Sequence, residues 1–239
     1  MASFWRIGIS TAVLLLAACA NTAVAPPTPP PDPPPTPLHQ AEWQAVPLPG
    51  KTATQYRWEY KDGRHAIAAI SDGSASMFRR SVSRPSQDVG AVTFSWWVQE
   101  KPHQASVSNV DREDAAARVL FGFSGDISKL PLRTRVMFEL AEALTGEKPP
   151  YATLMYVWDA SAPVGSVIVN PRSDRIRKIV VDSGPAELQR WREHRRDLAA
   201  DFRLAFGEEP GALSSIAVMT DSDNTRSGAR SWYGPVELH

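Results

Sequence analysis

The stretch Tyr56-Arg57-Trp58-Glu59-Tyr60-Lys61-Asp62-Gly63-Arg64-His65-Ala66-Ile67-Ala68-Ala69-Ile70 reads as a β-hairpin, and the fold is read outward from it. From Tyr56 to Tyr60 the pattern alternates with period two, as it does where successive side chains point to opposite faces of a sheet. Lys61-Asp62-Gly63-Arg64 then supplies turn chemistry, and the apolar run resumes at His65. Segments 75–82, 90–98, 117–123, 152–158, 165–169, 177–181, 214–220 and 231–238 are further strand candidates. Their connections in the first half are too short for repeated crossover helices. The expected architecture is therefore mainly β: an antiparallel two-sheet, jelly-roll-like sandwich over residues 42–239, with one or two inserted helices.

Two segments carry helical periodicity. Residues 132–144 place apolar side chains at 132, 136, 137, 140, 141 and 144, and Gly146 follows as a stop. Residues 183–206 open on Ser183 and Pro185. They carry Leu188, Trp191, Leu198, Phe202 and Phe206 as a stripe and end at Gly207. Arg190, Arg192, Glu193, Arg195, Arg196 and Asp197 then form the opposite face, which reads as a solvated face or as an anion-binding surface.

The amino terminus reads as an address. An apolar run over 7–18, too short to span a bilayer at about 20 residues, suits the core of a secretory signal. It ends at Leu16-Ala17-Ala18-Cys19, which resembles the lipobox of bacterial lipoproteins. Residues 1–18 are thus expected to be a signal peptide, and Cys19, the chain's one cysteine, its lipidation site. Ala20 rather than Asp after the cysteine favours the outer membrane in a diderm host. Several acyl chains, at about 0.8 kcal/mol per buried methylene, would anchor the protein to the membrane. Positions 26–37 hold nine prolines in twelve, so the rest of segment 19–41 reads as a polyproline spacer of roughly 40 Å.

Composition excludes several classes. Lys plus Arg (26) balances Asp plus Glu (26), which removes the basic field a nucleic-acid binder needs. A single cysteine excludes an intrachain disulfide framework. There is no Gly-x-Ser-x-Gly elbow, HExxH, P-loop or GxGxxG, and the five histidines show no metal-ligand spacing.

Three groups remain as site candidates. Thr220-Asp221-Ser222-Asp223-Asn224-Thr225 follows an apolar strand. Its Asp221 and Asp223, with Asn224, read as oxygen ligands for a hard cation such as Ca²⁺, as a turn cluster, or as acid/base groups. Asp114 and Arg118 read either as a bidentate pair tying a loop to the sheet or as the lining of a polar ligand cleft. Trp96 and Trp97 are adjacent in a strand, so one faces the core and the other an outer surface; Trp58, Trp158, Trp232 and Tyr233 read either as joining it in a floor for sugar rings or as core side chains of a two-layer fold.

Tyr156-Val157-Trp158, Gly165, Asn170-Pro171, Trp191 through Phe202, Phe206 to Pro210, Ile216 to Thr225 and Tyr233-Gly234, in this order, resemble the bacterial family called domain of unknown function 3047. The resemblance spans about 42 to 238 and implies a secreted or lipid-anchored envelope domain, with no activity or site residue attached. The expectation for function is a non-catalytic envelope module. It would bind glycan or another envelope component near Trp97, Asp114, Arg118 and the 221–225 loop. A carboxylate- or metal-dependent polysaccharide hydrolase or lyase is the alternative.

Overall fold

The computed structural model describes Met1 and residues 42–239. Cys19, the signal segment and the proline-rich spacer lie outside the described residues. The quoted hairpin forms as expected. Strands β2 (Gln55–Lys61) and β3 (Arg64–Asp72) pair antiparallel, with Lys61 opposite Arg64. The two turn residues, Asp62 at φ 46° and Gly63 at φ 81°, both have the positive φ that a two-residue hairpin turn requires.

One sheet has seven strands. In spatial order they are β1 (Trp43–Pro47), β4 (Ser76–Arg84), β11 (Leu213–Asp221), β6 (Ala115–Phe123), β7 (Ala152–Asp159), β9 (Ser173–Ser183) and β8 (Val167–Asn170). The six-stranded sheet runs β10 (Trp191–Asp197), β5 (Ala91–Glu100), β12 (Gly228–Tyr233), β3 and β2, with β13 (Glu237–Leu238) also on β5. All pairings are antiparallel except β7 with β9.

The core lies between the sheets. Phe94, Trp96 and Val98 of β5 meet Ala117, Val119, Phe121 and Phe123 of β6 and Leu154, Tyr156 and Trp158 of β7. Phe94 stacks on Tyr156 at 5.3 Å. Every residue of β6 is buried, because its second face, with Arg118 and Leu120, is covered as well.

The long helix expected over 183–206 is not what forms. Residues Trp191–Asp197 are the edge strand β10, paired with β5, and only Leu198–Phe206 is helix (α2). Asp197 caps α2 by accepting from the Ala200 amide at 2.9 Å, and Gly207 ends it at φ 73°. The charged run alternates in burial instead of following a helical face. Arg192 and His194 turn to Asp182, and Arg196 turns to Asp201, while Glu193, Arg195 and Asp197 face solvent. Acceptors supplied from outside the run outweighed its helical periodicity.

Helix α1 (Leu132–Thr145) forms where expected, but its apolar stripe does not mark a core. None of its residues is buried, and Leu132, Val136, Met137, Leu140 and Leu144 are all at least half exposed. Phe138 lines the cleft on the sheet, and of the stripe only Ala141, at its edge, is half-buried beside it.

Candidate functional site

The outer face of the seven-stranded sheet is a cleft of about 350 Å³. Strand alternation builds it. Residues of β6, β7, β9 and β11 that do not face the core project outward, placing Leu120, Met155, Ile176, Ala217 and Met219 on an apolar floor beside Met77 of β4. Phe138 of α1, with Pro149 and Pro150, contributes to the roof.

The polar end of the cleft is where β11 leaves the sheet. A register shift between Met219 and Asp221 brings Asp221 opposite Ala115, the first residue of β6. Arg118 then reaches Asp221 with both sides of its guanidinium: Nε donates to Oδ1 at 3.0 Å and Nη2 to Oδ2 at 2.8 Å. Nη2 also donates to the Glu113 carbonyl at 2.7 Å, and the Ala115 amide donates to Asp221 Oδ1 at 3.0 Å. Both side chains are almost wholly buried, at 3% residue exposure each.

Burial pushes the Asp221 carboxyl up to about 7, with Asp114 and Asp223 acting in the same direction and Arg118 against it. Burial works against the charge on Arg118 too, yet Asp221 and Glu113 outweigh it and hold the guanidinium above its ordinary value.

The bidentate partner of Arg118 is therefore Asp221, not Asp114. Asp114 instead clamps the 221–225 loop, accepting from the Asn224 amide at 3.1 Å, the Thr225 amide at 2.7 Å and Thr225 Oγ1 at 2.6 Å. Asn224 Nδ2 donates to the Val110 carbonyl at 3.2 Å, and Asp223 accepts from Lys51. Oxygens of Asp114, Asp221 and Asp223 lie within 4.8 Å of one another, close enough to share a cation. Each of these carboxylates already faces protein donors.

Three residues to which the sequence pattern assigns no role, Glu113, Asn170 and Lys178, complete the network. Lys178 of β9, fully buried, donates to Glu113 Oε1 at 2.6 Å and to the Val107 carbonyl at 2.8 Å. Burial lowers its ammonium to about 8, and nearby Arg118 adds to the effect. Asn170 Nδ2 also donates to Glu113 Oε1, at 3.0 Å, whereas the buried Glu113 Oε2 has no hydrogen-bond partner among the described residues. Lys178 follows Arg177 directly before the apolar run Ile179-Val180-Val181, and nothing local distinguishes it as the buried cation of the two.

Trp97 is not part of this cleft. Trp96 is the core residue of the pair, fully buried, and its Nε1 donates to Asp182 at 2.8 Å. Trp97 lies on the outer face of the other sheet with Trp191 and Trp232, and Lys61 Nζ sits 4.4 Å from its ring and 4.5 Å from that of Trp232. Trp58 and Trp158 pack in or against the core, and Tyr233 is buried there. The single aromatic and polar surface expected from sequence thus splits into two faces on opposite sides of the sandwich.

The family model described as "Protein of unknown function (DUF3047)" matches residues 41–237. No curated protein matches the chain. Solved structures are similar only in outline. The family 11 carbohydrate-binding module of the Clostridium thermocellum cellulase Lic26A-Cel5E is 8% identical, covering 82% of this chain and 85% of that one at a TM-score of 0.39. The xyloglucanase domain of NopAA from Sinorhizobium fredii is 8% identical, covering 82% and 92% at 0.44. A cellulase derived from Cel12A of Rhodothermus marinus is 12% identical, covering 84% and 93% at 0.43. At these scores the likeness carries no argument about chemistry.

Proposed function

The chain belongs to the DUF3047 family, and we propose that it is a non-catalytic binding module of the cell envelope, taking a glycan or another envelope component in the cleft of the seven-stranded sheet. The observation that carries this is the cleft itself: a concave, largely apolar volume with a few convergent polar groups at one end. Those groups are fixed by one another. Arg118 is held by Asp221 and Glu113, and Lys178 by Glu113, so a ligand meets a preorganised wall. Glu113 Oε2 is the acceptor left over for a ligand hydroxyl or a bridging water.

In this reading Cys19 is the acylated anchor and the proline-rich segment the spacer that holds the sandwich off the membrane, on the outer membrane in a diderm host. Mass spectrometry of the protein extracted from membranes tests the anchor. A bare Cys19 thiol refutes it.

A second reading has a specific observation behind it. Asp221, raised to about 7 at the cleft wall, is poised near neutral pH as the acid/base group of a polysaccharide hydrolase or lyase. A Ca²⁺ ion held by Asp221 and Asp223 would require Arg118 and Lys51 to give way.

The full chain carrying Cys19→Ser, applied to a glycan array with and without Ca²⁺, separates these readings. Retention without product, lost in Glu113→Gln, supports binding. Oligosaccharide release that disappears in Asp221→Asn supports catalysis. Retention and a melting temperature that both respond to EDTA support the cation. The absence of any retained glycan or envelope extract component removes the binding reading.

A further inference from the structure

The cleft does not end at α1. A second cavity of about 750 Å³ lies along the helix and shares Phe138, Pro149, Arg172, Ser173 and Ile176 with the first. The two form one trough, with Phe138 dividing it and α1 as its cover. The floor of the first cavity is aliphatic and thioether, formed by Met77, Leu120, Met155, Ile176, Ala217 and Met219, and the second adds Met137, Val169 and Ile176 among polar residues such as Thr134, Asn170 and Asp174. The three methionines of the first floor give it the adaptable, polarizable surface that accommodates flexible chains. Among the described residues Phe138 is the one aromatic side chain that lines either cavity, so the flat aromatic platform on which sugar rings stack is missing from the trough.

Charged groups line both cavities: Glu113, Arg118, Asp221 and Asp223 at the polar end of the first, Arg133 and Asp174 in the second, and Arg172 in both. Arg79 is paired with Glu147 at 2.6 Å and Arg175 with Glu208 at 2.5 Å, while the exposed guanidinium of Arg172 has no ion-pair or hydrogen-bond partner among the described residues. The cover itself is not locked down, since α1 buries none of its residues.

From these features we infer that the trough holds an anionic amphiphile. Its aliphatic chain would run along the methionine-rich floor beneath α1, and its acidic head would lie against Arg172. The inference rests on the cleft being the binding site and names the class of ligand it takes. The match is one of chemistry: two adjoining cavities, the first with a methionine-rich apolar floor, share a wall that carries a cation without an ion-pair partner among the described residues.

Isothermal titration of the full chain carrying Cys19→Ser, so that no covalent acyl chain competes, tests this with decanoate, decanol and a soluble glucan oligosaccharide. Decanoate is expected to saturate at about one per chain. Phe138→Asp, a change on a helix outside the core, should weaken decanoate and decanol alike by about tenfold or more. Arg172→Ala should weaken decanoate severalfold and leave decanol unchanged. Far-ultraviolet circular dichroism and urea midpoints equal to those of the parent confirm that both variants fold. Equal loss of both ligands in Arg172→Ala overturns the head-group assignment. Decanoate binding indifferent to Phe138→Asp overturns the trough as its site. Oligosaccharide binding without decanoate binding overturns the amphiphile and leaves the cleft reading standing, and silence toward all three overturns both.

Discussion

Replacing Arg118 with Met is the sharpest perturbation of the buried network. The substitution removes hydrogen bonds of 3.0 and 2.8 Å to Asp221 and one of 2.7 Å to the Glu113 carbonyl, leaving Asp221 only the Ala115 amide at 3.0 Å. An uncompensated buried carboxylate costs about 3–5 kcal/mol. For a domain of this size that lowers the unfolding midpoint by roughly 6–20 °C.

The pH dependence has a definite sign. Asp221 in the folded chain holds its proton up to about 7, above the usual carboxylate range. The folded state therefore binds more protons than the unfolded one from about pH 4 to 7, and this group's contribution to stability falls as pH rises through that window. Without the guanidinium the carboxyl keeps its proton to still higher pH. The gap between parent and variant is then smaller near pH 6, where Asp221 is largely neutral in both, and widens by up to about 1.4 kcal/mol toward pH 8. Urea unfolding followed by the fluorescence of buried Trp96 and Trp158 measures it. The double variant Arg118→Met/Asp221→Leu should recover most of the loss, because replacing both charges by apolar groups removes the unpaired carboxylate. A loss under about 1 kcal/mol at pH 8, or one that does not change between pH 6 and 8, refutes the assignment of this pair as a buried, coupled unit.

Asp114→Ala should release the 221–225 loop, costing about 2–4 kcal/mol and accelerating hydrogen exchange at the Asn224 and Thr225 amides, while amides of β3 keep their protection. Unchanged exchange at those two positions would show that the clamp does not hold the loop. Gly211→Ala should destabilise by about 3 kcal/mol, since a Cβ there would lie 1.8 Å from the Ser124 carbonyl oxygen and backbone must move to admit it; thermal melting checks this. Trp97→Ala should cost about 1–2 kcal/mol through the lost contact with Lys61 and lost burial, yet leave ligand affinity in the cleft unaltered. A Trp97→Ala variant that folds but no longer binds would place the ligand on the wrong sheet.

Much of this architecture was legible because it is local. Period-two alternation and an Asp62-Gly63 turn specify β2 and β3 without reference to the rest of the chain. The neighbouring tryptophans had to face opposite ways for the same reason, and Trp96 and Trp97 do. What failed was local pattern read without its partners. The segment Trp191–Asp197 has helical spacing on paper, but it is a strand because Asp182 and Asp201 meet its alternate cations and β5 offers an edge to pair with. The stripe of α1 is genuine, yet nothing in the sequence says which side of the helix the sheet takes.

The site divides in the same way. Residue types alone nominated Asp114, Arg118, Asp221 and Asp223, because carboxylates and a guanidinium beside apolar strands need partners when buried. Their pairing was a tertiary decision. Arg118 and Asp221 stand 103 positions apart, Asp114 and Thr225 111, and Glu113 and Lys178 65, and only the strand order β11-β6-β7-β9 brings them to one end of one face. Side-chain alternation is set by the nearest neighbours in the chain, so the sequence carries it. Which strand lies beside which depends on the burial of the whole core, and that information exists only once the chain has closed on itself.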